Sequence, residues 1–306
     1  MSNIDFRFQK SVSFSQYSLF NQCPHQWYLK YVKKLRDDKP SIHLVFGTSM
    51  HETLQLFFDT MYRKTLKKAE QLDLIGDFKE RFLRVYKETL ENNKGVHFSS
   101  SEEMREFFED GVAIIEWFLK KRSRYFSKKG TELIGIEIPL QTQALKGIDN
   151  VMMNGFIDFV LYDKVLNRYT IYDIKTSTRG WSDKEKKDQV KVNQILLYKK
   201  FFSQLKGVPE EDIDVVFFIV KRKIFETDEF TIPRIQQFKP AHGKNKIKQA
   251  YESFSNFLTE CFNPDGSYQE KEYKKKVSKL CDWCPFNNNP DLCDKNGIMQ
   301  NKFFIK

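Results

Sequence analysis

The chain has 306 residues, enough for one large domain or two ordinary ones, and its 40% hydrophobic and 30% charged residues are typical of a globular protein. Its longest wholly apolar run, Val215–Val220, is too short to span a membrane, and the first residues carry no apolar signal core. We therefore expect a cytoplasmic protein with no membrane partner. A net charge of +10 favours a polyanionic partner, and nucleic acid is the commonest large polyanion inside cells.

The first 130 residues are expected to be mainly helical. A capping-box pattern at Ser13–Gln16 begins a helix pattern that runs to residue 32. Pro24 should interrupt or restart this helix. Apolar residues at three- and four-residue spacing predict three further helices, over 48–66, 74–92 and 102–123.

Residues 131–235 have the pattern of a sheet, and 236–306 form a C-terminal helix and a cysteine-rich tail. The predicted elements are strands at 132–140, 152–162 and 168–175, a helix at 190–205, strands at 215–220 and 224–232, and a helix at 246–261. The second and third strands are separated by a short polar turn, which predicts a hairpin. Since no linker divides the chain, we expect a single elaborated α/β domain over residues 1–306.

Two aspartates and a lysine lie on the predicted hairpin. Asp173 and Lys175 are two residues apart on a strand, so both point to one face, and pairing of the hairpin brings Asp158 to that face as well. Burying two carboxylates side by side is costly unless a cation compensates, and oxygen ligands suit Mg²⁺ or Mn²⁺. Such a cation activates water against a phosphodiester, while Lys175 would position that water or stabilise charge on the phosphate.

Three polar residues on predicted helices are further candidates. His51 shares the inward face of its helix with apolar residues, so it is either a buried structural histidine or a neutral metal ligand beside the carboxylates. Gln194 and Tyr198 are four residues apart and share a helix face. They are either ordinary amphipathic surface, or they contact a DNA backbone or organise the site.

Four of the five cysteines are grouped near the two ends of the chain. Cys281 and Cys284 form a CxxC pair, Cys293 follows, and Cys23 precedes Pro24 near the other end. Four thiolates suit either a tetrahedral zinc ion or an iron–sulfur cluster, and spacing alone does not separate the two. Either group would join residue 23 to the tail and would be structural. Cys261 is interpreted as a spare buried thiol.

The ordered set of His51, Asp158, Asp173-Ile174-Lys175 and Gln194 with Tyr198 resembles the RecB-like branch of the PD-(D/E)XK nuclease superfamily, and within it the iron–sulfur nucleases of the AddB kind and of CRISPR adaptation. The resemblance runs from Ser13 to Cys293. It implies a restriction-endonuclease-like core, in which a mixed central sheet is flanked by helices, with a helical N-terminal region and a cysteine-rich C-terminal tail.

The resemblance also implies roles for individual residues. Mg²⁺ or Mn²⁺ would be bound by His51, Asp158, Asp173 and the backbone carbonyl of Ile174. Lys175 would be the catalytic lysine, Gln194 and Tyr198 would form the accessory motif of this branch, and Glu137 would occupy a secondary acidic position. Cys23, Cys281, Cys284 and Cys293 would hold a 4Fe–4S cluster, although the eight residues between the last two are more than we expect for the family.

The sequence therefore predicts a metal-dependent deoxyribonuclease, an exonuclease acting on DNA ends or single strands. DNA recombination, DNA repair, a viral replication system and CRISPR adaptation all stay open as the process it serves. The chain has no G-x-x-x-x-G-K-[ST] element, so a helicase, or a recombination or adaptation protein, would be a separate partner. Two alternatives stay open, a catalytically silent DNA-binding or scaffold subunit on the same fold and a zinc-stabilised interaction protein. The lysine-rich segments 181–191 and 268–279 are candidate DNA-facing edges.

Overall fold

The computed structural model describes residues 10–35, 39–127, 129–224, 232–287 and 289–293. The chain divides into two compact units, and each is assembled from separate stretches of sequence. The first unit draws on Met1–Lys39, Leu140–Gly155 and Gln249–Lys306, and the second on Pro40–Pro139 and Phe156–Lys248. These divisions differ from the regions 1–130, 131–235 and 236–306 expected from the sequence. That the whole chain folds as a single domain stays a prediction.

The described helices and strands follow the predicted order closely. The helices are α1 Phe14–Gln22, α2 Pro24–Trp27, α3 Ile42–Asp59, α4 Leu66–Glu70, α5 Leu74–Asn92, α6 Ser101–Lys121, α7 Asp183–Lys186, α8 Gln189–Lys206 and α9 Lys244–Cys261. Turns of π-helix, Tyr28–Val32 and Thr60–Lys64, follow α2 and α3. The strands are β1 Lys10–Val12, β2 Thr131–Pro139, β3 Thr142–Gln143, β4 Val151–Met153, β5 Phe156–Asp163, β6 Arg168–Ser177, β7 Ile213–Lys221 and β8 Ile235–Phe238.

The second unit is built on a five-stranded mixed sheet in the order β2-β5-β6-β7-β8. The strands β2, β5 and β6 are antiparallel neighbours, and β5 and β6 form the predicted hairpin. The strands β6 and β7 are parallel, joined by a crossover that contains α8, while β8 returns antiparallel. The mixed sheet flanked by helices confirms the α/β fold class.

Both faces of this sheet are covered, as its apolar strands require. On one face, Phe159, Ile174 and Phe218 join the buried cluster formed with α3, α5 and α6. On the other, Tyr169 of β6 contacts Phe202 of α8, with ring centroids 5.8 Å apart. Alternation along β6 therefore directs residues 171, 173 and 175 to the α8 face.

The first unit contains a small sheet in the order β1-β4-β3, together with α1, α2 and most of α9. Ser13 caps α1 by accepting a hydrogen bond from the backbone of Gln16, which is one half of the predicted capping box. The Gln16 side chain donates to Ser11 O instead of completing the box. Trp27 is fully buried and contacts the Phe257 ring of α9 edge-on, at 5.9 Å between centroids. This aromatic packing holds α2 against α9.

The prediction of one continuous strand over 152–162 is wrong, because this segment forms two strands. Asn154 and Gly155 separate β4, in the small sheet, from β5, in the large one. The Asn154 N–H donates to Val12 O, and Gly155 O accepts from Leu140 N, so long-range partners end the first strand before the second begins.

Two further boundaries differ from the prediction. Helix α3 begins at Ile42, six residues before the predicted start, because the Ser41 side chain caps it by accepting a hydrogen bond from the His43 N–H. Most of the predicted strand at 224–232 lies outside the described residues, and β8 at Ile235–Phe238 was not predicted. Within the described ranges, no helix combines the length and apolar character needed to cross a membrane.

Candidate active site

The two aspartates lie where the β5–β6 hairpin opens. The antiparallel ladder ends at the Phe159–Tyr172 pair, and Asp158 and Asp173 occupy the next position on each strand. Beyond this pair, Asp158 Oδ2 accepts a hydrogen bond from the Ile174 N–H, so a side chain takes a backbone donor that the ladder would otherwise use. Asp173 is only 2% exposed.

Lys175 lies beside Asp173 on the same face of β6. Its Nζ forms an ion pair with Asp173 Oδ2 at 2.8 Å. In the described part of the chain, no other group donates a hydrogen bond to that buried oxygen. Burial opposes the charge on Lys175, but the carboxylates of Asp173 and Asp158 outweigh it, so the lysine pKa lies above its usual value. The lysine therefore stays a cation.

Burial makes both carboxylates weaker acids than usual. It raises the pKa of Asp158 to about 7 and that of Asp173 to about 6, although Lys175 acts in the opposite direction in both cases. The second carboxylate adds to the rise for Asp173. Ionising this pair therefore carries a free-energy cost, which an added positive charge would reduce.

His51 of α3 reaches the same centre. Its Nδ1 is 3.6 Å from Asp158 Oδ2. Burial, and then the nearby charge of Lys175, lower the His51 pKa to about 4. The imidazole is thus neutral at physiological pH and keeps a nitrogen lone pair available for coordination.

Glu137 lies on β2 across from Asp158, between two paired positions of β2 and β5. Its backbone φ is +49°, which a glutamate rarely adopts in a strand, and its carboxylate accepts a hydrogen bond from Gln55 Nε2. Glu137, Gln55 and His51 line a cleft of about 560 Å³. The predicted secondary acidic residue therefore faces the cleft that contains His51.

The helix α8 contributes the predicted pair Gln194 and Tyr198. The Gln194 Nε2 donates to the Tyr198 hydroxyl at 3.0 Å. Tyr198 is buried, and burial followed by the charge of Asp173 raises its pKa. The phenol therefore lies within electrostatic reach of the carboxylates, rather than on an ordinary amphipathic surface.

Two residues that support this site were not predicted from the sequence. Gln55, one helical turn after His51, binds Glu137, and its i,i+4 spacing is a signal that was available. Gly47, one turn before His51, allows α3 to approach β6, since a Cβ there would lie 3.2 Å from Thr176 Oγ1. That close approach depends on the tertiary fold.

The donors at this centre suit a hard divalent cation. A buried carboxylate oxygen lacks a hydrogen-bond partner, a second carboxyl lies one strand away, and a neutral imidazole is adjacent. In the part of the chain that the structure describes, no three His, Cys, Asp or Glu side chains are already arranged as a complete metal site. A cation would therefore draw these side chains closer.

The four cysteines of the proposed cluster lie together in the first unit. None is in a disulfide, and Cys23, Cys281, Cys284 and Cys293 line one small cavity. Burial is the main cause that raises the pKa values of Cys284 and Cys293, and the neighbouring thiols of the set add to the rise. Cys261 is fully buried and does not line this cavity.

Hydrogen bonds join the segment that carries Cys23 to the C-terminal tail. His25 N–H donates to Lys274 O at 3.2 Å, the His25 ring nitrogen Nε2 lies 3.0 Å from Leu292 O, and Lys276 Nζ donates to Asn21 O. The four thiols are therefore a donor set of the right chemistry for zinc or iron–sulfur binding, although they are not arranged as a complete metal site either.

The protein is thus of the α/β class, with two carboxylates and a lysine placed where the hairpin of its mixed sheet opens. The family model of the PD-(D/E)XK nuclease superfamily matches residues 11–289. The chain therefore belongs to the PD-(D/E)XK nuclease superfamily.

The other comparisons add little to this assignment. None of the curated proteins is detectably similar to the chain. A crystal structure of a candidate exonuclease from Eubacterium rectale is similar over 92% of this chain and 97% of its own, with 13% identity and a TM-score of 0.44. A TM-score this low gives no information about the function of this chain.

Proposed function

We propose that the protein is a Mg²⁺- or Mn²⁺-dependent deoxyribonuclease of the RecB-like branch, an exonuclease that hydrolyses DNA at ends or in single strands. The observation that carries this proposal is the Asp158–Asp173–Lys175 centre at the open end of the β5–β6 ladder, in which Asp173 is buried. Its raised carboxyl pKa values mark a site built to receive positive charge. The positive net charge of the chain suits a DNA substrate.

His51, the two aspartates and the Ile174 carbonyl would hold the cation. When bound, a divalent cation polarises a phosphodiester oxygen and lowers the pKa of a water molecule. Lys175, fixed beside Asp173, donates hydrogen bonds to a non-bridging phosphate oxygen, where negative charge grows as water attacks phosphorus. The attacking water would lose a proton to solvent as it bonds to phosphorus, and the leaving sugar oxygen would depart with the bonding electrons and take up a proton from solvent.

Three polar side chains near the carboxylates would support this centre. Tyr198, oriented by its hydrogen bond from Gln194, would contact the phosphate backbone from the α8 side. Glu137, held by Gln55, would supply an additional acidic group at the cleft. Their tests are substitutions that keep shape, such as Glu137→Gln and Gln194→Glu, assayed for cleavage and for metal affinity.

The direct test is cleavage of end-labelled single-stranded and duplex DNA with Mg²⁺ or Mn²⁺. Asp173→Ala and Lys175→Ala should abolish cleavage, whereas Lys164→Ala, an exposed lysine of the same hairpin, is the matched control and should keep full activity. A wild-type protein that binds DNA but never cuts it would be a silent binding or scaffold subunit. A protein that does neither would favour the interaction-protein alternative. The labelled end that is released first gives the polarity.

The four clustered cysteines are proposed to hold a structural 4Fe–4S group, with zinc as the alternative. Support comes from their shared cavity, their free thiols and the hydrogen bonds that bring the chain ends together. Anaerobically purified protein should be brown with iron and sulfide, and a colourless protein containing zinc would show the alternative. Cys23→Ser should lose the bound metal, while Cys261→Ser, a buried thiol outside the cavity, should keep it.

The sequence contains no G-x-x-x-x-G-K-[ST] element, so unwinding of duplex DNA would come from a separate helicase. Recombination, repair or CRISPR-adaptation proteins are the proposed partners. Co-purification of tagged protein from its native cells tests this association, and a protein that runs alone would contradict it.

A further inference from the structure

An exposed phenylalanine lies on the same face of β5 as Asp158. The strand begins Phe156-Ile157-Asp158-Phe159, and its side chains alternate between two faces. Ile157 and Phe159 are fully buried, while Phe156 is 46% exposed. Phe156 and Asp158 thus share the opposite face, the one on which α8 lies, about 6.6 Å apart along the strand.

Its cross-strand neighbour extends the apolar surface. Phe156 pairs with Pro139, the exposed last residue of the edge strand β2. In the same register, Glu137 lies across from Asp158. The sheet therefore presents an apolar row, Phe156 and Pro139, directly beside an acidic row, Asp158 and Glu137.

We propose that Phe156, flanked by Pro139, is a stacking platform for the unpaired base next to the phosphate that is cut, and this proposal rests on the proposed nuclease function. One nucleotide step of an extended single strand covers the distance between the two rows. Aromatic rings bind single strands by stacking on base faces, and such stacking tolerates any base sequence. Inside a duplex those faces are covered by neighbouring pairs, so the platform selects single-stranded or unpaired ends.

The size and position of this surface favour a base over a protein partner. A stable protein interface uses about 20–30 residues on each side, whereas this patch consists of two side chains. A single ring is the size of one base. The patch also adjoins the carboxylate centre without a gap, since Phe156 and Asp158 are consecutive residues on one strand face.

The test combines an altered protein with an altered substrate. A series of single strands carries one abasic site, moved stepwise past the cut position, and kcat and KM are measured for each. For wild type, one position of the abasic site should raise KM roughly 5- to 100-fold, the range expected for loss of one stacked base. Phe156→Ala should show that higher KM on intact DNA, with no further effect of the abasic site. Phe156→Tyr should behave as wild type.

The control is Val165→Ala, which truncates an exposed apolar side chain in the β5–β6 turn and should change neither KM nor the abasic response. If Phe156→Ala responds to the abasic site as strongly as wild type, the platform is refuted while the nuclease proposal stands. Since Phe156 is half exposed, its truncation is not expected to unfold the protein, and an unchanged melting temperature checks this.

A binding assay separates failure of the platform from failure of the nuclease. In EDTA, where no cutting occurs, single strands with 2-aminopurine at the sensitive position should be quenched by wild type and by Phe156→Tyr, but not by Phe156→Ala. If no position in the cleavage series is sensitive, the platform is refuted. Should wild type quench the probe but never cut DNA with either metal, the platform stands and the nuclease proposal fails. A wild-type protein that neither quenches the probe nor cuts DNA would overturn both the platform and the nuclease proposal.

Discussion

Asp158→Asn should stabilise the metal-free protein relative to wild type, and this advantage should grow as the pH rises. Burial is the largest cause that raises the Asp158 pKa from 3.8 to about 7. A carboxyl whose pKa is higher in the folded than in the unfolded state favours folding at low pH, and that contribution is lost as the pH rises from 3.8 through about 7. The side chain is 13% exposed, so solvent screens it little.

These pKa values predict the size of the effect. Between pH 5 and pH 8, wild type should lose roughly 2–3 kcal/mol of stability through Asp158, and the Asn variant should not. The amide can still accept the Ile174 N–H, so the backbone contact of the carboxylate is preserved. Any cost of the amide itself is independent of pH and cancels when the difference between the two proteins is compared across pH.

Urea unfolding in EDTA at pH 5, 6, 7 and 8 measures this difference. A gap between the two proteins that stays constant from pH 5 to pH 8 would refute the assignment of a buried carboxyl with a raised pKa. At pH 8, adding Mg²⁺ or Mn²⁺ should raise the free energy of unfolding of wild type and leave that of Asp158→Asn unchanged, because a ligand stabilises only the state that binds it. Equal stabilisation of both proteins would place the cation elsewhere.

Three further substitutions test other parts of the structure. Tyr198→Phe removes a hydroxyl beside the carboxylates and should lower single-turnover cleavage about 10-fold, and an unchanged rate would exclude a role for the hydroxyl. Cys23→Ser should lower the urea midpoint and release the bound metal, whereas a loss of stability with the metal retained would contradict its role as a ligand. Gly111→Ala should destabilise by roughly 1–3 kcal/mol in urea unfolding, because its Cβ would lie 2.2 Å from the Phe78 ring. Gly243→Ala, which meets no atom within 4 Å, is its control and should differ little from wild type.

Helices and hairpins whose limits are set by nearby residues were predicted well from the sequence. Helix α5 was predicted with its observed limits, Leu74–Asn92, because apolar residues recur along its whole length and Asp73 caps it. The hairpin was predicted because a short polar turn separates two strand patterns. The end of β4 was missed because it depends on a hydrogen bond that Asn154 donates to Val12 O and on one that Gly155 O accepts from Leu140, and both partners are far away in sequence.

The sequence predicted which residues belong to the candidate site better than it predicted how they are arranged. The strand period placed Asp173 and Lys175 on one face, and the structure brings them to an ion-pair distance. The proximity of His51 to Asp158 requires packing of α3 against the sheet, so helical spacing alone left a structural histidine equally open. Glu137 has a positive φ that no sequence pattern signals.

The position of the aspartates at the end of the ladder explains how one strand pair can be both a scaffold and a reactive centre. Within the ladder, backbone groups pair with each other, and a carboxylate between them would be buried without donors. Two residues beyond the last pair, the Ile174 N–H is free to bind Asp158, which orients this carboxyl while its pKa remains raised. The rigid pairs just before it hold Asp158 and Asp173 in register. Replacing Asp158 with asparagine should therefore stabilise the metal-free fold and weaken the proposed cation site, which is the trade-off expected where stability is sacrificed for function. Asp173 differs, because its removal would leave the Lys175 ammonium without its ion-pair partner.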